Sequence, residues 1–285
     1  MRVVVTGARG LVGRAVNKHC ADSGDDVLSY GHKDLDITDR EGVRQIILGN
    51  QPDVVINCAA WTNVDACESD QKKAFAANAA GPENLARACK EAECVFITIS
   101  TDYVFDGTKP GFYTQLDEPN PESVYAASKL EGERRSTLAY GRSIIVRTGY
   151  IFGRGGTNFL STVVERIQKC ERLKAISDTY GTPTYAKDLA VRLRQLAEKN
   201  VPSIYHVVNS GPGVTFEEFT RKAVALIGNR EAVVEAVSAD TLNRPAKRPH
   251  NSRLRCLLME RIGLPPLRDW DSALEESVRT EYEIQ

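Results

Sequence analysis

A tyrosine and a lysine four residues apart, Tyr125 and Lys129 in the stretch VYAASKLEGE, have a spacing that suits proton transfer. On a helix, side chains at positions i and i+4 share one face. A free tyrosine has a pKa of about 10, so its phenol gives up a proton reluctantly near neutral pH. An ammonium about 5 Å away, at an effective dielectric constant of ~20, favours the phenolate by roughly 3 kcal/mol, or about two pK units. The spacing therefore predicts that Tyr125 is a general acid or base and that Lys129 lowers its pKa.

A second group of polar residues, in the stretch STDYVFDG at 100–107, follows the apolar run 94–99. In a doubly wound sheet, ligands bind beyond the carboxyl ends of the strands, so side chains at this point project into the binding crevice. We predict that Thr101 hydrogen-bonds the substrate carbonyl that Tyr125 protonates, with Ser100 as the alternative. The carboxylate of Asp102 is a candidate for binding a sugar hydroxyl.

Three glycines near the start of the chain, Gly7, Gly10 and Gly13, form a G-x-x-G-x-x-G pattern in TGARGLVG. The pattern follows an apolar strand directly and opens a helix. Glycines at such a point permit a tight turn and let backbone N–H groups approach a pyrophosphate at a helix N-terminus. The alternative is a simple tight turn, but the position inside a βαβ unit favours dinucleotide binding. Lys129 can then also hydrogen-bond the nicotinamide ribose.

The end of the second predicted strand bears on which dinucleotide is bound. An acid about 20 residues after the glycines usually marks NAD, because it binds the ribose 2′-hydroxyl. The stretch SYGHK at 29–33 has no acid, and it brings Lys33 and a neighbouring histidine instead. This composition favours a 2′-phosphate and therefore NADPH. NADH stays possible because Asp34 and Asp36 follow closely, and Asp36 with Ile37 can instead border the adenine.

Apolar strands alternate with helices through the first half of the chain, which predicts an α/β fold with a doubly wound parallel (Rossmann) sheet covered on both faces. The predicted strands are 2–6, 27–28, 53–57, 94–99 and 144–147, and the predicted helices are 10–22, 39–50, 69–92 (interrupted near Gly81–Pro82) and 123–140. Beyond residue 150 the pattern loosens into helices at 158–171, 186–199 and 215–227 and a strand at 204–208. We therefore expect a dinucleotide-binding domain at 1–150 and a smaller, mainly substrate-binding lobe at 151–285, with some elements returning to the first domain.

The composition excludes several classes of protein. With 37 Lys and Arg against 38 Asp and Glu, the net charge of −1 gives no basic footprint for nucleic acid. No apolar run approaches the roughly 20 residues that span a membrane. The start of the chain enters a strand at once and does not resemble a signal peptide. The seven cysteines are scattered, without C-x-x-C or zinc spacing, which predicts reduced thiols, a cytoplasmic location and no metal site.

Taken together, these stretches resemble the extended short-chain dehydrogenase/reductase superfamily and, within it, the dTDP-4-dehydrorhamnose reductase family. The matching segments run in family order over nearly the whole chain: TGARGLVG (6–13), NCAAWTNVDACES (57–69), STDYVFDG (100–107), VYAASKLEGE (124–133), VRTGYIFG (146–153), GTPTYAKDLA (181–190) and RPHNSRL (248–254). The resemblance implies NADPH-dependent reduction of the C4 ketone of dTDP-4-dehydro-L-rhamnose to dTDP-L-rhamnose, in the synthesis of rhamnose-containing polysaccharides.

The resemblance also implies roles for individual residues. Thr101, Tyr125 and Lys129 are implied to be catalytic, and Thr101 and Asp102 are implied to face the sugar. Tyr150 stands where the family has a tryptophan that packs near the substrate. The remaining positions are implied to contact the cofactor: Gly10, Leu11 and Val12 under the pyrophosphate, Asp36 and Ile37 beside the adenine, and Ala60, Trp61 and Thr62 after the third strand.

Two departures from the family pattern affect specificity and assembly. Tyr150 can still stack on a sugar ring, but the change from tryptophan bears on which sugar is accepted. Some members place a glutamate in the first helix for a magnesium-bridged dimer, and Arg14 and Ala15 stand there instead. We therefore expect a monomer or a homodimer that is not bridged by magnesium. The basic stretch RPHNSRL can be a structural loop or a substrate-side loop.

Two other functions remain as alternatives. A nucleotide-sugar epimerase or dehydratase of the same superfamily would hold NAD tightly and return the hydride. Dehydratases place Asp–Glu beside the strand-end hydroxyl, whereas Thr101 is followed by Asp102 and Tyr103. A non-catalytic subunit resembling the regulatory β subunit of methionine adenosyltransferase would keep much of the same site.

Overall fold

A computed structural model describes residues 1–229 and 231–282. Its strands are β1 Arg2–Thr6, β2 Asp26–Tyr30, β3 Val54–Asn57, β4 Val95–Thr101, β5 Ile144–Thr148, β6 Ile151–Phe152, β7 Leu173–Ile176, β8 Tyr180–Gly181, β9 Thr184–Tyr185, β10 Ile204–His206, β11 Val214–Thr215 and β12 Val234–Val237. Its α-helices are α1 Leu11–Asp22, α2 Arg40–Asn50, α3 Val64–Ser69, α4 Gln71–Phe75, α5 Gly81–Glu91, α6 Val124–Ala139, α7 Phe159–Gln168, α8 Ala186–Lys199, α9 Phe216–Ile227 and α10 Trp270–Glu281.

The central feature is a parallel sheet of six strands in the order β10-β5-β4-β3-β1-β2. Its inner strands are apolar runs with both faces buried, such as Val3–Val5 and Val54–Ile56, none of which exposes any side chain. Such runs are typical of parallel strands covered by helices on both sides. From β1 the chain adds β2 on one side and then continues with β3 on the other side. The gap between β1 and β3 is therefore the topological switch point, where ligands bind in such sheets. The predicted doubly wound parallel sheet is therefore confirmed.

The helices divide between the two faces of this sheet. On one face, Val16 of α1 and Leu189 and Leu193 of α8 join the core with the strand residues. On the other face, Ile47 of α2 and Leu85 of α5 do the same. Helix α8 and the edge strand β10 come from beyond residue 150 and pack with the strands of this sheet. The boundary at residue 150 stays a prediction.

The remaining elements form a smaller lobe with its own core. Phe152, Tyr185, Phe219 and Leu274 are all buried in it and come from β6, β9, α9 and α10. Helix α9 begins at a capping box in which Thr215 accepts from the Glu218 N–H and Glu218 accepts from the Thr215 N–H. None of the helices in the described part of the chain is long and apolar enough to cross a membrane.

The long helix predicted at 69–92 differs from the structure in where it is interrupted. The break is a π-helical turn at Ala76–Ala80, and Gly81 and Pro82 lie in the first turn of α5, where a proline is tolerated. The wider turn buries Asn78, whose side chain accepts from the Trp61 N–H at 2.8 Å and donates to the Ser128 hydroxyl at 3.0 Å. The turn therefore connects the loop after β3 to α6, which carries Tyr125.

Candidate active site

The glycine loop between β1 and α1 allows a ligand to come close to the protein backbone. Gly7 has φ +64°, and a Cβ atom there would lie 2.5 Å from the Ala59 backbone nitrogen. A Cβ atom on Gly13 would lie 2.3 Å from the Gly7 carbonyl oxygen. Gly10 is the N-cap of α1 and offers no side-chain cap. The first N–H groups of α1 are thus left for a ligand at the positive end of the helix dipole.

The end of β2 is covered by Arg9 rather than by Lys33. A Cβ atom on Gly31 would lie 2.8 Å from Arg9 Nε, so the guanidinium lies against this glycine. Arg9 Nη2 also pairs with Asp34 at 3.0 Å. Lys33 is exposed in the following turn. Sequence reasoning missed Arg9, although it stands inside the glycine motif, because its proximity to β2 depends on the fold.

The two residues expected beside the adenine have structural contacts of their own. Asp36 Oδ1 accepts from the Thr38 N–H at 2.9 Å and from the Thr38 hydroxyl at 2.8 Å. Ile37 is buried against Gly81 at the start of α5. Neither residue lines the main cavity described below.

The loop after β3 divides its predicted residues between two environments. Ala60 and Thr62 line the main cavity, together with Cys58. Trp61 does not line it. The side chain of Asn78 hydrogen-bonds the Trp61 backbone, and Lys73 Nζ lies over the indole ring, 4.5 Å from its centroid. The residues before and after Trp61 therefore face the cavity, whereas its indole ring does not.

Thr101 and Tyr125 meet at the end of β4. Both are nearly buried, at 5% and 9% exposure, and the Thr101 side chain is near enough to the Tyr125 hydroxyl to act on the pKa of the phenol. The Thr101 hydroxyl donates to Asp102 Oδ1 at 3.1 Å and accepts from the Tyr103 N–H at 3.2 Å. The ring of Tyr103 stands edge-on to that of Tyr125, with centroids 6.4 Å apart. This contact network fixes the direction of the tyrosine hydroxyl.

The expected lowering of the Tyr125 pKa is wrong for this structure. Burial raises the pKa of the Tyr125 phenol above its ordinary value, and the neighbouring Thr101 side chain opposes burial only in part. Lys129 Nζ is turned toward the backbone and donates to the Ile99 carbonyl at 2.7 Å. Burial also lowers the pKa of Lys129 to about 8, against the opposing effect of Glu133. Tyr125 is consequently protonated at neutral pH.

Asp102 is a buried carboxyl group next to this pair. Burial raises its pKa to about 6, although hydrogen bonds from Ser252 and Thr101 act in the opposite direction. The absence of a side chain at Gly149 provides its space, since a Cβ atom there would lie 2.2 Å from the Asp102 carboxyl carbon. Ser252 comes from the RPHNSRL stretch, and sequence reasoning did not assign it a role.

Tyr150 adopts an unusual backbone conformation at the opposite wall. Its φ of +48° lies in the left-handed region, which is costly for a bulky residue. The ring packs at 4.3 Å from that of Phe216 and 5.0 Å from that of Phe219, centroid to centroid. These contacts with the smaller lobe hold the aromatic ring at the edge of the cavity.

Most of the residues described above border one cavity of about 1470 Å³. This volume exceeds the roughly 300–1,000 Å³ of a site for one drug-sized ligand, so it can hold two large ligands. The predicted residues among its lining are Gly10, Leu11, Val12, Gly13, Ala60, Thr62, Thr101, Asp102, Tyr125, Lys129 and Tyr150. The other predicted residues do not line it: Gly7, Lys33, Asp36, Ile37 and Trp61.

Basic side chains line the far end of the cavity. They come from RPHNSRL and from the residues just before it in the chain. Arg244, Lys247 and Arg248 all border the cavity. Arg248 binds Asp65 of α3 with both terminal nitrogens, at 2.9 and 2.7 Å. The stretch is therefore anchored structurally to the first domain and also faces the cavity, so it combines the two roles considered from the sequence. Within residues 1–229 and 231–282, no group of three or more His, Cys, Asp or Glu side chains could hold a metal ion.

Comparisons with known proteins agree with this geometry. A family model described as the RmlD substrate binding domain matches residues 1–283. A dTDP-4-dehydrorhamnose reductase from Mycolicibacterium smegmatis is 37% identical over 282 residues, which are 97% of this chain and 85% of that protein.

Two solved structures superimpose closely. The dTDP-4-dehydrorhamnose reductase of Clostridium acetobutylicum has a TM-score of 0.94 at 35% identity, over 98% of this chain and 99% of that one. The Bacillus anthracis enzyme of the same name, in complex with NADP, has a TM-score of 0.94 at 32% identity, over 98% of each chain. With a glycine loop, a strand-end threonine and a Tyr–Lys pair on one cavity, this chain belongs to the dTDP-4-dehydrorhamnose reductase family.

Proposed function

We propose that this protein reduces the C4 ketone of dTDP-4-dehydro-L-rhamnose to dTDP-L-rhamnose, with NADPH as the reductant. The observation that carries the proposal is the meeting of Thr101 and Tyr125 in a cavity that the glycine loop also lines. Ketone reduction needs a proton donor for the developing alkoxide, and a protonated tyrosine at this position meets that need.

The glycine loop fits a dinucleotide because the start of α1 has no side-chain cap and Gly10, Leu11, Val12 and Gly13 all line the cavity. Backbone N–H groups of Gly10, Leu11 and Val12 would hold the pyrophosphate. Arg9, rather than Lys33, is the better candidate for a 2′-phosphate because its guanidinium lies against the end of β2. Lys129 would bind the nicotinamide ribose, and Ala60 and Thr62 would border the cofactor. When bound, NADPH supplies the hydride for the C4 carbon.

The residues of this chain supply the proton and the orientation. Tyr125 gives its hydroxyl proton to the substrate oxygen, and the charge of Lys129 stabilises the phenolate that this leaves. The Thr101 hydroxyl now donates to Asp102. Rotation about its C–O bond turns that proton toward the substrate oxygen and polarises the ketone.

The substrate would occupy the other half of the cavity. Asp102 is suited to a sugar hydroxyl, and the ring of Tyr150 offers a stacking face. Arg244 and Lys247 at the far end are suited to a diphosphate. We assign the cofactor mainly to residues 1–150 and the nucleotide sugar mainly to the lobe after residue 150. We further propose a monomer or a homodimer without bridging magnesium, located in the cytoplasm, and the presence of all seven cysteines as free thiols supports that location.

The deciding experiment is the oxidation of NADPH with dTDP-4-dehydrorhamnose generated in situ from dTDP-glucose by the upstream enzymes. NADH is run in parallel. Consumption of NADPH with formation of dTDP-rhamnose supports the proposal, and the ratio of the two rates gives the cofactor preference. If NADPH binds but is not consumed, the reductase assignment is wrong, and an epimerase or a regulatory subunit is tested next.

A further inference from the structure

Glu133 and Arg147 form an ion pair in the interior, beneath the catalytic helix. Both side chains are only 4% exposed. Arg147 Nη2 lies 2.7 Å from Glu133 Oε2, and Arg147 Nε lies 3.0 Å from Glu133 Oε1. Replacing such a pair by apolar groups is often neutral or stabilising, so its presence is weak evidence for a role in stability. None of the functions described above uses these two charges.

The pair is connected to the catalytic residues through three elements. Glu133 lies one helical turn after Lys129 on α6, on the same face. The hydroxyl of Ser100, the residue before Thr101, donates to Glu133 Oε1 at 2.5 Å. Arg147 of β5 is the ladder partner of Ser100 in β4. One carboxylate therefore joins α6 to the catalytic ends of two strands.

Lys129 depends on a nearby anion to stay charged. Its ammonium is buried, and the hydrogen bond described above goes to a neutral backbone carbonyl, that of Ile99. Burial favours the neutral amine, and Glu133 is the leading opposing influence. The other titratable groups that face it are Cys58, whose thiol pKa is raised to about 12 by burial, and the protonated Tyr125.

The far side of the Glu133 carboxylate is covered by hydrogen-bond donors. Arg147 supplies two N–H donors and a positive charge, and Ser100 supplies a third donor. His206, the ladder partner of Arg147 in β10, is neutral because burial and the charge of Arg147 lower its pKa to about 3. The Glu133–Arg147 pair is therefore neutral as a unit, and Lys129 keeps the one net positive charge among the groups named here.

We propose that Glu133 is a positioning residue for catalysis, held by Arg147 and Ser100, that keeps Lys129 protonated beside the active site. This inference rests on the proposed function, in which a charged Lys129 stabilises the phenolate of Tyr125. Without the Glu133 charge, the buried lysine loses its proton at lower pH. The phenolate that forms during reduction then lacks its cation.

The first test is the titration of Lys129 followed by NMR of side-chain-labelled lysine, with its resonance assigned by its absence in Lys129→Met. In Glu133→Gln we expect the pKa of Lys129 to fall by about one unit or more, a tenfold change in the fraction of neutral amine. Glu131→Gln is the matched control, because it removes a carboxylate that lies on the same helix, is 31% exposed and pairs with Arg135. Because the titration needs no sugar substrate, it decides the inference even if the proposed reduction fails.

The second test is the pH profile of turnover. We expect the alkaline limb to move to lower pH in Glu133→Gln, with a roughly fivefold loss of kcat near pH 8, and Glu133→Asp to restore part of it. Because Glu133→Gln leaves Arg147 without its partner, the double variant Glu133→Gln/Arg147→Met removes both charges and is measured alongside. The pKa of Lys129 should also fall in this double variant. An unchanged Lys129 titration in both variants overturns the proposal.

Discussion

Lys129 Nζ donates a hydrogen bond of 2.7 Å to the backbone carbonyl of Ile99, two residues before Thr101. The contact fastens α6, which carries Tyr125, to the strand that carries the catalytic threonine. It also explains why the lysine does not lower the tyrosine pKa in the way that the Y-x-x-x-K spacing predicts. The ammonium is directed at the strand, and burial of the phenol is the largest influence on the Tyr125 pKa, which it raises.

Replacing Tyr125 with phenylalanine should lower turnover by about 10²–10⁴-fold, because only proton transfer is removed. NADPH binding, measured by fluorescence titration, should stay largely intact. Tyr140→Phe is the control, because Tyr140 follows the same helix but does not line the cavity. Unchanged turnover in Tyr125→Phe would rule out the proposed role of this residue.

Replacing Gly10 with valine should abolish NADPH binding, because the branched side chain occupies the space at the start of α1 that the pyrophosphate needs. The same substitution at Gly49 of α2 is the control, since a Cβ atom there meets nothing within 4 Å. Binding is measured by calorimetry. Normal NADPH affinity in Gly10→Val would contradict the assignment of the glycine loop.

Replacing Arg9 with alanine should weaken NADPH by roughly tenfold or more, because a charge-assisted hydrogen bond to the 2′-phosphate is lost. NADH should be affected much less. Lys33→Ala, predicted from the sequence to weaken NADPH more than NADH, should have the smaller effect because Arg9, and not Lys33, lies against Gly31 at the end of β2. The measurement is the ratio of kcat/KM for the two cofactors. Equal losses with NADPH and NADH would exclude a 2′-phosphate site at Arg9.

Asp102 should make stability fall as pH rises from about 4 to about 6. Its pKa is raised to about 6 in the folded protein, so the native state holds a proton that the unfolded chain has released. The penalty on the ionised carboxyl reaches about 3 kcal/mol at neutral pH and is absent below the unfolded pKa. The free energy of unfolding of Asp102→Asn, relative to the unmodified protein, should therefore increase between pH 4 and pH 7. A difference that does not vary with pH would refute this.

The local features of the fold were predictable because neighbours in sequence determine them. Val3–Val5 and Val54–Ile56 are β-branched runs without polar residues, which suit only a strand buried on both faces. The glycines at 7, 10 and 13 mark a turn whose backbone geometry excludes side chains. The π-helical turn at Ala76–Ala80 was not predictable, because it is stabilised by contacts of Asn78 with Trp61 and Ser128, which are distant in sequence.

The sequence by itself determined the residue types of the site and their order along the chain: a glycine loop, a strand-end threonine and a tyrosine one turn before a lysine. Only the tertiary structure decided which of them share a cavity, that Arg9 covers the end of β2, and that Ser252 lies close to Asp102. It also reversed the expected direction of the Tyr125 pKa. The physical reason is that spacing determines local geometry, whereas desolvation and charge pairing depend on all the elements that pack around a group.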